Sequence, residues 1–425
     1  PPPGGGGGAR GGGPPPPRGA CWLGAGGANA DLTARLADVA VVVGANVQPD
    51  QVVAVSARPG QEALVYALAE RAYRRGARYV DVSWFDPRLK RQRLLHAPDD
   101  SLEWMPPWLA ERASALGDMG AAAISLSGPT APGLFDDVDP VRAGRDRSPA
   151  VPELTAAVMG AKLNWTVVPC PNPAWARMVF PDLEPEAALA RLWHEVAHVC
   201  RLDEDDSAAA WRERDERLKA AAGRLNDARF DALHFVGPGT DLTVGLLHTS
   251  RWIGGGEHRR DGLAHLPKIP TEEVFPTPDP RRTEGVVCAT RPLDVSGTVV
   301  EGLRVRFDAG RAVEITAERG VEVLRGRTRV DEGAARLGEV ALVDGSGRIG
   351  PLGTVFFDTL LDENAASHIA LGAGYPVGVE SADAARVNRS EIHIDFMIGG
   401  PRVSVFGLHR AAEPRVILRD GRWFT

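Results

Sequence analysis

The hydrophobic pattern changes period about halfway along the chain. Residues 30–45 place apolar positions at helical spacing, and 51–59 (QVVAVSARP) read as a buried strand closed by Pro-Gly. Residues 62–76 (EALVYALAERAYRRG) predict a helix stopped by Gly76, and 77–86 (ARYVDVSWFD) a second strand. The alternation continues with a strand at 120–129, a helix at 152–163 and a strand at 164–171. Strand, helix and strand joined by short links predict an open, mostly parallel sheet covered by helices. Residues 129–149, rich in Pro, Gly and Asp, predict a long loop, and 184–226 are strongly helical.

From about residue 240 a period of two takes over. Runs at 241–247, 284–290, 300–318, 338–344, 355–363, 391–399 and 415–424 read mostly as strands. FDAGRA (307–312) predicts a hairpin turn, and helices are expected only at 331–337 and 364–371. The expected fold class is thus an α/β N-terminal domain (29–240) with an open, mostly parallel sheet, followed by a β-rich α+β catalytic domain (241–425). Residues 1–28, beginning PPPGGGGGARGGGPPPPRG, are too rich in Pro and Gly to build a core, and are expected to be a disordered tail or a sequence artefact.

Composition narrows the function class. A chain of 425 residues suits two or three domains, and 44% hydrophobic with 25% charged residues is ordinary for a globular protein. A net charge of -7 offers no basic excess for nucleic acid, and no apolar run approaches a membrane span. Cys21, Cys170, Cys200 and Cys288 are far apart and form no C-x-x-C pair. Neither a disulfide scaffold nor a thiolate zinc site is expected, and a reducing, cytoplasmic setting is preferred.

Two stretches carry candidate chemistry. The first is WHEVAH (193–198), in which His194, Glu195 and His198 match the His-Glu-x-x-His spacing of zinc-protease helices. A third ligand is missing, because Arg201 and Glu204 stand where a Gly-x-x-His continuation would be required. Glu213 and Glu216, farther along, lie in the charged run WRERDERLKAA, which reads as a solvated helix face. The expectation is an exposed helix that happens to carry two histidines and holds no metal.

The second stretch is dispersed. In EIHIDFMIG, His393 and Asp395 are two apart on a predicted strand and face the same side, while Ile392, Ile394 and Phe396 face the other. Ionisable groups in so apolar a run are costly unless paired or metal-bound. Glu363 and His368 flank a predicted strand-to-helix corner, and Tyr375 follows a Gly-containing turn. Glu339 leads a buried strand, and Glu272 and Glu273 sit in a rigid, Pro-bounded turn. Such a mixture suits two hard divalent ions, with a water between them as nucleophile for an amide or a phosphate ester.

Read together, IPTEEVFPTP, RLGEVALV, FFDTLLDENAASHIALGAGYP and NRSEIHIDFMIGG resemble the thermophilic metalloprotease family, the aminopeptidase T and aminopeptidase S group, over roughly residues 30–425. GTDLTVGL and KLNWTVVPCPNPAWA fit the same pattern. The resemblance implies two divalent metal ions per subunit (zinc, cobalt, manganese or magnesium), held by Glu273, Glu339, Glu363, His368, His393 and Asp395, with Glu339 bridging. It implies release of N-terminal residues from short peptides, a homodimer, and Tyr375 as an active-site tyrosine that donates to the oxyanion. The proton acceptor is expected to be Glu272 or Glu339, and Glu272 could instead anchor its turn. The interval from Tyr375 to His393 is shorter than the family's pattern, which predicts a trimmed loop. The alternatives are a two-metal hydrolase of another amide or a phosphoester, which would call for Arg or Lys lining the site, and an inactive peptide-binding relative.

Overall fold

The computed structural model describes residues 27–424 apart from 147, 150 and 296, so the Pro/Gly-rich expectation for 1–28 falls almost wholly outside the described residues. Helix Gly27–Val39 leads into a short π-helical turn, Ala40–Gly44. The strands Val52–Ala57, Tyr79–Trp84, Ala122–Ser127 and Asn164–Pro169 then form one fully parallel sheet. The Tyr79–Trp84 strand is at one edge and Asn164–Pro169 at the other. The helical connections follow from parallel pairing, which needs crossovers. The segment expected to be a long loop contains the short helix Pro140–Arg145.

The second half is built on two antiparallel sheets. One has eight strands, among them Ala232–Gly237, Thr240–Leu246 and Ser404–Leu408. The other has five, in the order His393–Met397, His368–Gly372, Leu337–Val343, Glu273–Phe275 and Ile253–Gly254. The FDAGRA hairpin forms as expected, with Asp308 paired to Arg311.

Three local expectations fail, each for a physical reason. Residues 331–337 make turns instead of a helix, and the helix lies earlier, at Val321–Arg327. The Asp331 carboxylate accepts from the Ala334 N–H at 2.8 Å and from Ser390 and Glu391, so a side chain has replaced helical hydrogen bonding. Residues 364–371 were expected to be helical, but His368–Gly372 is a strand, because partners on both sides outweigh helix propensity. Residues 355–363 were expected to be a strand, but the chain turns at Phe357, whose φ is +54°, and forms the helix Thr359–Asp362. The Asp362 carboxylate accepts from the Phe356 and Asp358 N–H groups at 2.9 and 3.2 Å and closes that turn. The corner before His368 is therefore helix to strand, the reverse of the expectation.

One hydrophobic core lies around the parallel sheet and a second between the antiparallel ones. The first includes Leu266, Ile269, Phe356, Leu361 and Ala365, which belong to the second half of the chain. Two connections account for this. The Val167 N–H donates to the Pro267 carbonyl at 2.8 Å and the Ile269 N–H to the Val167 carbonyl at 3.0 Å, so the chain 267–269 continues the parallel sheet beyond its edge. Asp358 accepts from the Gly128 N–H at 2.8 Å and the Ser127 hydroxyl at 3.1 Å, at the end of a central strand. The Trp175 indole adds a hydrogen bond to the Phe356 carbonyl at 2.6 Å.

Candidate metal centre

Strand register gathers the dispersed residues. Glu339 lies across from Ala370, and Ala370 from Asp395. His368 lies across from Ala341, Glu273 from Val343, and His393 from Gly372. Side chains at alternate positions share a face, so Glu273, Glu339, His368, His393 and Asp395 all project from one side of the five-stranded sheet. Val274, Val340, Leu342, Ile369, Leu371 and Phe396 project from the other side into the core. Ala341, Ala370 and Gly372 separate the ionisable groups on the first face and leave room between them. Glu363, which caps the helix Thr359–Asp362, completes the set beside His368 and Asp395.

The atoms converge. Ligating atoms of Glu273, Glu339 and His368 lie within 4.8 Å of one another, as do those of Glu339, His393 and Asp395, and those of Glu363, His368 and Asp395. Glu339 belongs to two of these groups, and its two oxygens diverge. Oε1 is 3.8 Å from His368 Nε2, and Oε2 is 3.1 Å from His393 Nε2. The centre is deep at one end and open at the other: His368 is fully buried, Glu339 is 1% exposed, and the His393 side chain is 25% exposed. Tyr375, partly buried, stands at the open end with its ring centroid 5.3 Å from that of His393. The segment from there to His393 has only short turns, Pro376–Gly378 and Ala384–Arg386.

The donor chemistry fits metal ions. Both Glu339 oxygens, Glu273 Oε2, Asp395 Oδ1 and His368 Nε2 are buried without a well-directed hydrogen bond, although close to one another. Buried polar atoms in that state are rare, and lone pairs that converge on a common point are what a cation needs. Each imidazole is held from behind: Nδ1 of His393 donates to the Ala373 carbonyl at 2.8 Å, and Nδ1 of His368 faces the Ala366 carbonyl at 3.4 Å. A carbonyl can only accept, so Nε2 is the nitrogen left to ligate. Burial would push the Glu273 and Glu339 carboxyls up. Instead Lys268 and His368 hold Glu273 down at about 2, and His368 and His393 do the same for Glu339. Both therefore stay ionised, whereas burial pushes the Glu363 carboxyl up to about 8 despite Lys268.

Glu272 is outside this face. Its carboxylate accepts from Arg201 at 2.7 Å and pairs with Arg214, lining a polar cavity of about 660 Å³ behind the strand. Its N–H donates to Asn364 Oδ1 at 2.6 Å, which ties the Glu272–Glu273 segment to the Glu363 corner. Arg214 comes from the run expected to be a solvated helix face.

The His-Glu-x-x-His helix, Pro185–Val199, forms but is not exposed as expected, since Leu192, Trp193, Val196 and Val199 pack into the first core; it assembles no ligand set among the described residues. His194 is exposed, Glu195 is buried against Arg191 at 2.6 Å, and His198 pairs with Asp203 at 2.9 Å. The sequence reading missed Lys268, whose Nζ lies between Glu273 and Glu363. Its signal was a lone cation between two prolines, one residue before the IPTEEVFPTP block.

A largely buried cage of four carboxylates and two imidazoles, in which Glu339, Asp395 and His368 each belong to two ligand groups, defines a two-metal centre. Comparison with known proteins gives the family: the chain matches the thermophilic metalloprotease (M29) family over residues 29–423 and belongs to it. It is 43% identical to aminopeptidase T of Thermus thermophilus over 402 residues, covering 92% of this chain and 97% of that protein. It is 37% identical to aminopeptidase 2 of Geobacillus stearothermophilus over 400 residues, with the same coverage. The solved structure of wild-type AmpT from Thermus thermophilus superposes with a TM-score of 0.85 at 42% identity, covering 93% of this chain and 99% of the other.

Proposed function

We propose that this protein is a metal-dependent aminopeptidase that releases N-terminal residues from short peptides. The observation that carries the reading is the one-sided placement of Glu273, Glu339, His368, His393 and Asp395 with buried donor atoms that lack a well-directed hydrogen bond, in a chain whose relatives are named aminopeptidases. Two divalent ions (zinc, cobalt, manganese or magnesium), when bound, supply Lewis-acid polarisation of the scissile carbonyl and acidify the attacking water. Glu339 would hold both ions. Glu273, Glu363 and His368 would serve the deep end, and His393 and Asp395 the open end. Tyr375, at the mouth, is assigned to donate to the oxyanion that develops on the carbonyl.

Of the two carboxylates considered as proton acceptor, Glu339 faces the reacting side and Glu272 is engaged by two arginines behind it. Glu272 is therefore assigned to the scaffold. Glu272→Gln is expected to lower stability by about 3 kcal/mol, because it breaks a buried ion pair and leaves Arg201 without its counter-charge. Metal content and kcat at a permissive temperature should stay near wild type. A stable variant with no activity would return Glu272 to the chemistry.

A phosphoester substrate is disfavoured because the cation on this face, Lys268, is already engaged by two carboxylates. The homodimer and cytoplasmic setting belong to the same reading. The aromatic residues exposed on or near the edge strand, Tyr79 and Trp84, support the first, and the free Cys170, Cys200 and Cys288 support the second. Light scattering on the native particle checks the dimer.

The direct test is hydrolysis of leucyl-p-nitroanilide before and after EDTA treatment and metal add-back. Activity should vanish on chelation and return with a divalent ion. A folded, metal-loaded protein that releases no N-terminal residue from this substrate or from a panel of short peptides would refute the reading.

A further inference from the structure

Lys268 is not in the ligand set, yet its ammonium lies within the cage. Nζ is 2.9 Å from Glu273 Oε1 and 2.7 Å from Glu363 Oε1. Burial opposes its charge, but Glu273, Glu363 and Glu339 outweigh that and keep it protonated well above the ordinary range. The stem is fixed as well, because the hydrogen bonds of Pro267 and Ile269 with Val167 clamp the backbone on either side. Lys268 takes one oxygen from each carboxylate, and the other Glu273 oxygen, Oε2, faces His368 Nε2 at 3.1 Å on the ligand side. The ammonium and the ions can therefore share the carboxylates at the same time.

A cation beside two divalent ions weakens their binding, so its presence needs an account. Four carboxylates, Glu273, Glu339, Glu363 and Asp395, face the space that two ions would fill, and the ammonium pairs with two of them. Lys268 therefore adds a positive charge beside the ions that the ligands alone would not supply. That charge adds to theirs in a buried place with little screening, at a centre whose reaction gathers negative charge on the attacked carbonyl. In the ion-free protein the same ammonium offsets part of a carboxylate cluster that would otherwise repel itself.

We propose that Lys268 is the resident counter-cation of the metal centre: a positioning residue that holds Glu273 and Glu363 in place without ions and adds its positive charge to the loaded centre. This rests on the two-metal reading above.

The test uses full-length wild type, Lys268→Met and Lys268→Arg. Each is stripped with EDTA and titrated with zinc by calorimetry, melted with and without zinc, and assayed on leucyl-p-nitroanilide. Lys268→Met, similar in length but neutral, should melt lower than wild type without zinc. It should bind the second zinc ion about ten-fold more tightly, since a like charge is gone. When saturated, its kcat should fall about 100-fold with KM within a few fold. Lys268→Arg should restore wild-type zinc affinity and most of kcat. A Lys268→Met protein that binds zinc no more tightly than wild type, or that turns over at the wild-type rate when loaded, overturns the proposal. If wild type binds two zinc ions but cleaves no peptide, the aminopeptidase reading fails, and the zinc affinities still decide the role of Lys268.

Discussion

Glu339→Gln is expected to remove both metal occupancy and activity while leaving the fold intact. The substitution keeps the size of a side chain that is 1% exposed and changes only its charge and one donor. Its two oxygens face different imidazoles, so losing the carboxylate weakens two ligand groups at once. Replacing a partner that only supports a ligand typically costs 10–100-fold in affinity or activity. Loss of a shared ligand should cost more, on the order of 10³-fold in kcat/KM. Metal content measured beside kcat/KM checks this. A variant that keeps two ions and a tenth of the activity would remove Glu339 from the centre.

The second large effect separates the two histidine motifs. His393→Ala should lose metal and fall on the order of 10²–10³-fold in kcat/KM, since Nε2 is presented by a hydrogen bond to Ala373 and faces Glu339. His198→Ala should stay within about two-fold of wild type in activity. It removes a half-exposed pair with Asp203, a contact worth about 0–1 kcal/mol. The opposite result would move the active centre to the Pro185–Val199 helix.

Much of the centre was legible before any coordinates. His393 and Asp395 announced themselves because a strand's period of two allows few polar intruders, and the register bears out their shared face. The alternation of strands and helices in the first half was equally plain, since short apolar runs there give way to segments of helical spacing. What could not be read was the outcome of long-range competition. His368 sits in a run with good helix formers, and only the neighbouring strands pull it flat. Asp331 and Asp362 look like surface charges until their carboxylates are seen closing turns. Arg214 lies in a run with every mark of a wet helix face, yet it reaches a carboxylate behind the metal face. Lys268 was invisible for the same reason: its meaning lies in two glutamates, one of them 95 residues away.

The attachment of Glu363 and Lys268 has a mechanical consequence. Both stand on segments stitched to the parallel sheet, through Asp358 and through Val167. Glu339, His368, His393 and Asp395 are carried by the antiparallel sheet. The centre is thus a clasp between the two halves of the molecule. Ions that bind there fasten one sheet to the other, and any parting of the sheets unfastens the ions. Heat inactivation and metal leakage are then one event observed in two ways.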